Sequence, residues 1–178
     1  MTRSPYARGP VTVELNGVRI PVPHHCAADW IQAVSASSGP SAVLVQLVRA
    51  NTHEFIMDDM AIGGTTGEEL AAASYDLIKQ TVPAFDWWAT YRLLVLSATD
   101  RMIVGRTVLA GFDPWSLSAA QWCSGVYAMI LENADKKDEF KFEAALFEVP
   151  EGVEQDSEWA DMTFDQMVAS ARSTPGIR

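Results

Sequence analysis

The densest set of potential metal ligands in the chain is His24-His25-Cys26. Adjacent residues rarely chelate one ion well, and no CxxC or HxxxH spacing supplies the missing ligands. His53 is the third and last histidine, so the triplet reads as a polar loop between a hairpin and a helix. Gly63-Gly64-Thr65-Thr66-Gly67 has the glycines of a phosphate cradle, but it lacks the Lys-Ser/Thr ending of a P-loop and no clear parallel strand precedes it. It reads as a turn before a capped helix. Nucleophilic catalysis needs a base beside a Ser or Cys, and no GxSxG is present. The acid pairs Asp58-Asp59 and Glu68-Glu69 fall on predicted helix surfaces, where carboxylates are ordinarily solvated. These residues predict no catalytic site, no metal, no cofactor and no enzyme.

The aromatic residues carry more information. Six tryptophans are present, several beside charged or polar residues: Trp30 after Asp29, Trp87-Trp88 after Asp86, Trp115 in Asp113-Pro114-Trp115, Trp122 after Gln121, and Trp159 after Glu158. Trp87, Trp88 and Trp122 sit on apolar helix faces and are predicted core. Trp115 and Trp159 lie in turn or linker segments. Each either docks back on its own domain or anchors a partner, because exposed aromatic residues carry much interface energy.

The elements that position these residues follow from periodicity. Val11, Val13 and Leu15 alternate with polar residues, Asn16-Gly17 supplies the positive φ angles of a tight turn, and Val18, Ile20 and Val22 resume the alternation. This predicts a hairpin over 11–22, with Pro21 and Pro23 making its second strand an edge or ending it. Helices follow: a short one around Trp30, Ile31 and Val34, another with Val43, Leu44, Leu47 and Val48, a third over 54–60, and a fourth opened by Thr66 and Glu69 as a capping box. Asp86 caps the next, with Trp87, Trp88, Tyr91, Leu94 and Val95 on its apolar face. The segment 101–110 ends at Gly111, suited to a left-handed cap. Ser118 and Gln121 form a second capping box, and 136–147 is a further amphipathic segment with Phe140, Ala144 and Phe147 on one side.

After residue 147 the composition changes. Glu148, Glu151, Glu154, Asp156, Glu158, Asp161 and Asp165 are seven acids with no Lys or Arg among them. The expectation is a mainly α, bundle-like domain over 1–147 with an N-terminal β-hairpin, followed over 148–178 by an acidic linker and a short C-terminal helix capped by Thr163 and Gln166. The chain has 178 residues, 48% of them hydrophobic and 20% charged, so one domain of this size hides roughly 70% of its unfolded surface. The net charge is −10, from 13 basic against 23 acidic residues. Phosphate backbones and anionic membranes both call for the opposite balance, so neither nucleic acid nor membrane is expected as a partner. No apolar run of spanning length and no signal-peptide pattern is seen, which predicts a cytosolic protein with Cys26 and Cys123 free and buried.

The run Asp86-Trp87-Trp88-Ala89-Thr90-Tyr91-Arg92-Leu93-Leu94, then Gly105-Arg106, Leu109-Ala110-Gly111-Phe112-Asp113-Pro114-Trp115 and Trp122-Cys123-Ser124-Gly125-Val126-Tyr127-Ala128, resembles tail assembly chaperones of siphophages infecting actinobacteria. The likeness continues through 135–142, the acidic stretch with Trp159 and the ending Pro175-Gly176-Ile177-Arg178; residues 36–65 match nothing in it. The resemblance implies a non-enzymatic protein of the host cytoplasm, absent from the finished virion. It would bind the tape measure protein, keep it soluble and help recruit major tail tube subunits, with homo-oligomers left open. On that reading Trp87, Trp88, Arg92, Trp115, Trp122 and Trp159 form or scaffold a partner-binding surface by the helix-in-groove mode. The alternatives are a virion structural protein, such as a head–tail connector or tail completion factor, and a small module acting on a host protein.

Overall fold

The computed structural model describes residues 11–36, 40–132 and 134–148. Beyond Glu148, the predicted acidic linker, C-terminal helix and Trp159 lie outside the described residues. The chain is mainly helical with a short N-terminal hairpin, as its patterning requires. Strand β1 (Val11–Leu15) pairs antiparallel with β2 (Val18–Val22), in the register Val11↔Val22, Val13↔Ile20 and Leu15↔Val18. Asn16 and Gly17 take φ of +49° and +75° at the turn, the primed geometry whose twist matches the strands. One hairpin face, with Val13, Leu15, Ile20 and Val22, is buried.

Eight helices follow among the described residues: α1 (Ala27–Ala36), α2 (Pro40–Leu47), α3 (Ala50–Ala61), α4 (Gly67–Thr81), α5 (Trp87–Thr99), α6 (Arg101–Leu109), α7 (Ala119–Leu131) and α8 (Lys136–Phe147). Helix α4 packs between α2 and β1, while α5 lies centrally against α1, α4, α6, α7 and α8. Helix starts are set by short polar side chains. Thr66 and Ser118 form complete capping boxes with Glu69 and Gln121, and Asp86, Asp100 and Asp135 each accept N–H bonds of the following turn. Each such cap satisfies donors that the first helical turn leaves without partners. Gly111 adopts φ +72° after α6. A single core joins the hairpin face to Trp30, Leu44, Leu70, Leu77, Leu93, Leu94, Trp122, Val126 and Leu146.

Several local expectations change. Helix α3 begins at Ala50 and ends at Ala61, longer than the 54–60 segment. In α6 the apolar residues Met102, Val108 and Leu109 are exposed, and the polar Thr107 is the buried position, its hydroxyl donating to Val104 O at 2.8 Å. Helix α8 faces inward through Phe142 and Leu146. The Phe140–Ala144–Phe147 side points to solvent, with Phe140 73% exposed. This helix carries two apolar sets at helical spacing, and only the neighbouring helices choose between them. Cys26 is half-buried and Cys123 fully buried, both as free thiols.

Candidate functional site

The loop after β2 brings His25 and Cys26 onto one carboxylate. Asp29, in the first turn of α1, accepts from the Cys26 backbone N–H at 3.0 Å and from the Cys26 thiol at 3.2 Å, while His25 Nδ1 lies 3.4 Å from the same oxygen. Burial raises the pKa of this carboxyl, but the Cys26 thiol, the Cys26 N–H and His25 together outweigh burial, and the net direction is downward. His25 Nε2 donates to Leu47 O at 2.6 Å. That bond ties the loop to the end of α2. His53 instead turns toward Val45 O at 3.2 Å, so the three histidines do not converge. Among the described residues no three His, Cys, Asp or Glu side chains group as metal ligands.

The loop also lines a cavity of about 320 Å³ among the hairpin, α1, α4 and α7. That volume lies at the lower end of small-molecule sites, roughly 300–1,000 Å³. Its walls include Val22, His24, His25, Trp30, Leu77, Thr81, Ser118 and Ser124. Trp30 is buried, His24 is exposed, and Thr81 Oγ1 is buried with no hydrogen-bond partner. The result is an apolar chamber with a few polar groups, the usual composition of a small-molecule site. In the sequence His24-His25 reads as a polar loop, the metal site being set aside for want of further ligands. Nothing in the local pattern signals that they share a wall with Thr81 and Ser118.

The Gly-rich segment is a turn. Thr65 is buried and its hydroxyl donates to Asp59, which binds α3 to the start of α4. Asp59 is therefore a tether rather than a freely solvated acid. Glu69 completes the Thr66 capping box.

The tryptophans separate. Trp87 and Trp88 are buried at the start of α5, and Trp122 is buried in α7 with its indole N–H donating to Ser97 Oγ at 2.9 Å. Trp87 packs edge-on to Tyr75 and tilted against Tyr91. Arg92 is half-buried: its guanidinium stands over the Trp88 ring and donates to the carbonyls of Ala145 and Leu146. Burial lowers the Arg92 pKa, opposed by the nearby Glu148 and Asp86 carboxylates. Trp115 is 70% exposed in the turn between α6 and α7. The structure thus assembles Trp87, Trp88, Arg92 and Trp122 into the interior around α5 and leaves Trp115 outside.

A family model described as DNA alkylation repair enzyme matches residues 5–160. No curated protein matches the chain, and no solved structure matches it. The family match overturns the tail assembly chaperone resemblance and its virion-protein alternative. With them go the tape measure and tail tube partners, the exclusion of nucleic acid, and the non-enzymatic reading. The physical reason lies in what carried the resemblance. Trp87, Trp88, Leu93, Leu94, Trp122, Cys123 and Val126 are core positions, so their order and spacing report how a helical interior packs, not what the surface binds. The exclusion of nucleic acid rested on net charge, a sum over the chain that does not describe one binding face. With most of its length matched, the chain belongs to the DNA alkylation repair enzyme family.

Proposed function

We propose that this protein acts on alkylated bases in DNA and that the cavity among the hairpin, α1, α4 and α7 receives the damaged base. The family match over residues 5–160 carries this reading. The cavity supports it in kind: an enzyme that works on a base must take it out of the stack into a pocket of suitable shape. Trp30 and Leu77 supply apolar wall, and Thr81, His24 and Ser118 supply polar groups. Alkylation of a purine ring nitrogen leaves the ring positively charged, and aromatic side chains attract such cations.

The charge also makes the altered base a good leaving group. Hydrolysis of the bond to the sugar would pass the bonding electrons to the ring, neutralising it, while water adds a hydroxyl to the sugar and releases a proton. His24, at the cavity wall, supplies an imidazole to take that proton. Transfer of the alkyl group to Cys123 fits less well. Cys123 is fully buried, its thiol pushed up to about 12 by desolvation, and thiolate is the nucleophilic form.

The test is incubation of the full chain with duplex DNA carrying methylated purines, followed by chromatography of released bases. The expected result is release of methylated base, reduced about tenfold or more in His24→Ala and altered in substrate preference in Thr81→Val. Neither release nor tighter binding to methylated than to unmodified duplex would overturn the reading.

A further inference from the structure

Trp115 is 70% exposed, yet the turn that carries it is firmly held. Pro114 fixes one backbone angle. The Trp115 backbone N–H donates to Asp113 Oδ1 at 3.0 Å, and Asp113 O accepts from the N–H groups of Ser116 at 3.1 Å and Leu117 at 3.2 Å. The same turn is bonded to the start of α1. Ala27 N–H donates to Leu117 O at 2.8 Å, Ala28 N–H donates to Pro114 O at 3.0 Å, and Cys26 pairs with Ser118. His24 and His25 on one side of this junction, and Ser118 on the other, wall the cavity. Trp115 and Ser118 are three residues apart, so the indole is rooted no more than about 11 Å from the cavity wall. A large aromatic side chain is therefore displayed to solvent on a braced turn beside the site.

We infer that Trp115 fills the gap a base leaves in the duplex when it enters the cavity, stacking on the bases that flank the gap. This rests on the base-cavity reading above. Extrusion turns one nucleotide about its backbone, so pocket and gap lie at the two ends of that nucleotide's swing. A side chain that fills the gap must therefore stand close beside the pocket, as Trp115 does. Unstacking is costly, and an apolar side chain inserted at the opened step offsets part of that cost. The contact is to base faces rather than to the backbone. Asp113, two residues from the ring, is exposed, and 113–118 contains no Lys or Arg, so phosphates are repelled there. A base face carries no net charge and stacks on an indole whatever the sequence. The braced turn also leaves little to be ordered on binding.

The test compares binding of the full chain to an intact duplex and to one carrying a tetrahydrofuran abasic analogue, with 2-aminopurine beside the gap. The wild type should prefer the gapped duplex. Trp115→Ala should weaken binding to it by about tenfold or more, with an unchanged circular dichroism spectrum, and Trp115→Phe should retain part of the affinity. Phe140→Ala, at an aromatic residue 73% exposed on α8, should leave that affinity unchanged. Wild-type binding should quench the 2-aminopurine and Trp115→Ala binding should not, a signal that a merely structural role of Trp115 would not move. Equal binding and quenching by wild type and Trp115→Ala overturns the inference, as does a wild type without preference for the gap. If methylated base is still released in those cases, gap filling alone falls; if release is absent too, the base-cavity reading falls with it. Gap preference and Trp115-dependent quenching without base release would uphold the stacking contact and count against the release chemistry.

Discussion

The guanidinium carbon of Arg92 stands 5.6 Å from the centroid of the Trp88 ring, on the same helix, while its Nη1 donates to Ala145 O at 2.5 Å and Leu146 O at 2.7 Å. One cation therefore covers an aromatic face and satisfies carbonyls that the end of α8 leaves without intrahelical donors. It fastens the last described helix to the central one. Arg92→Ala should destabilise the fold by about 2–3 kcal/mol, since charge-assisted bonds are lost and carbonyls are stranded. Arg92→Lys should recover only part of this, because an ammonium lacks the planar fork. Chemical denaturation of the three proteins measures it.

Gly125 in α7 lies directly beneath the Phe112 ring, and a methyl group there would overlap it. Phe112 in turn packs against Trp122, with centroids 6.2 Å apart. Gly125→Ala gains helix propensity but forces the ring aside, and overpacking of this kind costs about 1–3 kcal/mol. The expected net result is a lower melting temperature, where the same substitution at exposed Gly105, with open space around it, should raise it.

The two thiols should behave differently. Cys123 is fully buried and its thiol is pushed up to about 12. In the native protein a water-soluble disulfide reagent should modify no more than one thiol per chain, at Cys26, and both only after denaturation. Rapid modification of two thiols under native conditions would contradict the burial of Cys123.

Asp29 links stability to pH. Its carboxyl titrates below the ordinary value of about 3.9 because the hydrogen bonds it accepts outweigh the opposing effect of burial. A depressed folded-state pKa contributes stability that is present above the unfolded pKa and lost as pH falls through the folded one. Stability of the wild type should therefore decline below about pH 4 more steeply than that of Asp29→Asn. At neutral pH, Asp29→Ala should cost about 1 kcal/mol through the unsatisfied Cys26 N–H at the start of α1. Carboxyl titration by NMR reads the shift directly.

DNA binding should show an unusual salt dependence. The net charge is −10, and of the basic residues Arg92 is committed to α8 and Arg106 to Glu132 at 2.9 Å. With these two committed, a face that engages about three of the other cations would give a slope of log K against log salt on the order of −3. Binding to methylated duplex measured across a salt series reads the slope.

Local chemistry wrote much of this fold into the chain. Asn16-Gly17 specifies the hairpin turn, and Thr66, Asp86, Ser118 and Asp135 mark helix starts, because caps and turns depend on residues within three or four positions of one another. The limits of α8 and the buried state of Trp87, Trp88 and Trp122 follow from periodicity. Other features depend on packing between distant segments. Sequence spacing offers both Phe140–Phe147 and Phe142–Leu146 as the inner side of α8, and the position of α5 and α7 decides for the second. His25, Trp30, Thr81 and Ser118 come from separate stretches of chain, and they share a cavity only because α4 and α7 close over the hairpin loop. Cys26 and Asp29 are three residues apart and legible as a helix start, yet the bond from His25 to Leu47 exists only in the folded chain. Side-chain types and their local periods set the elements, and the tertiary arrangement set which polar groups meet, because that meeting spans dozens of residues.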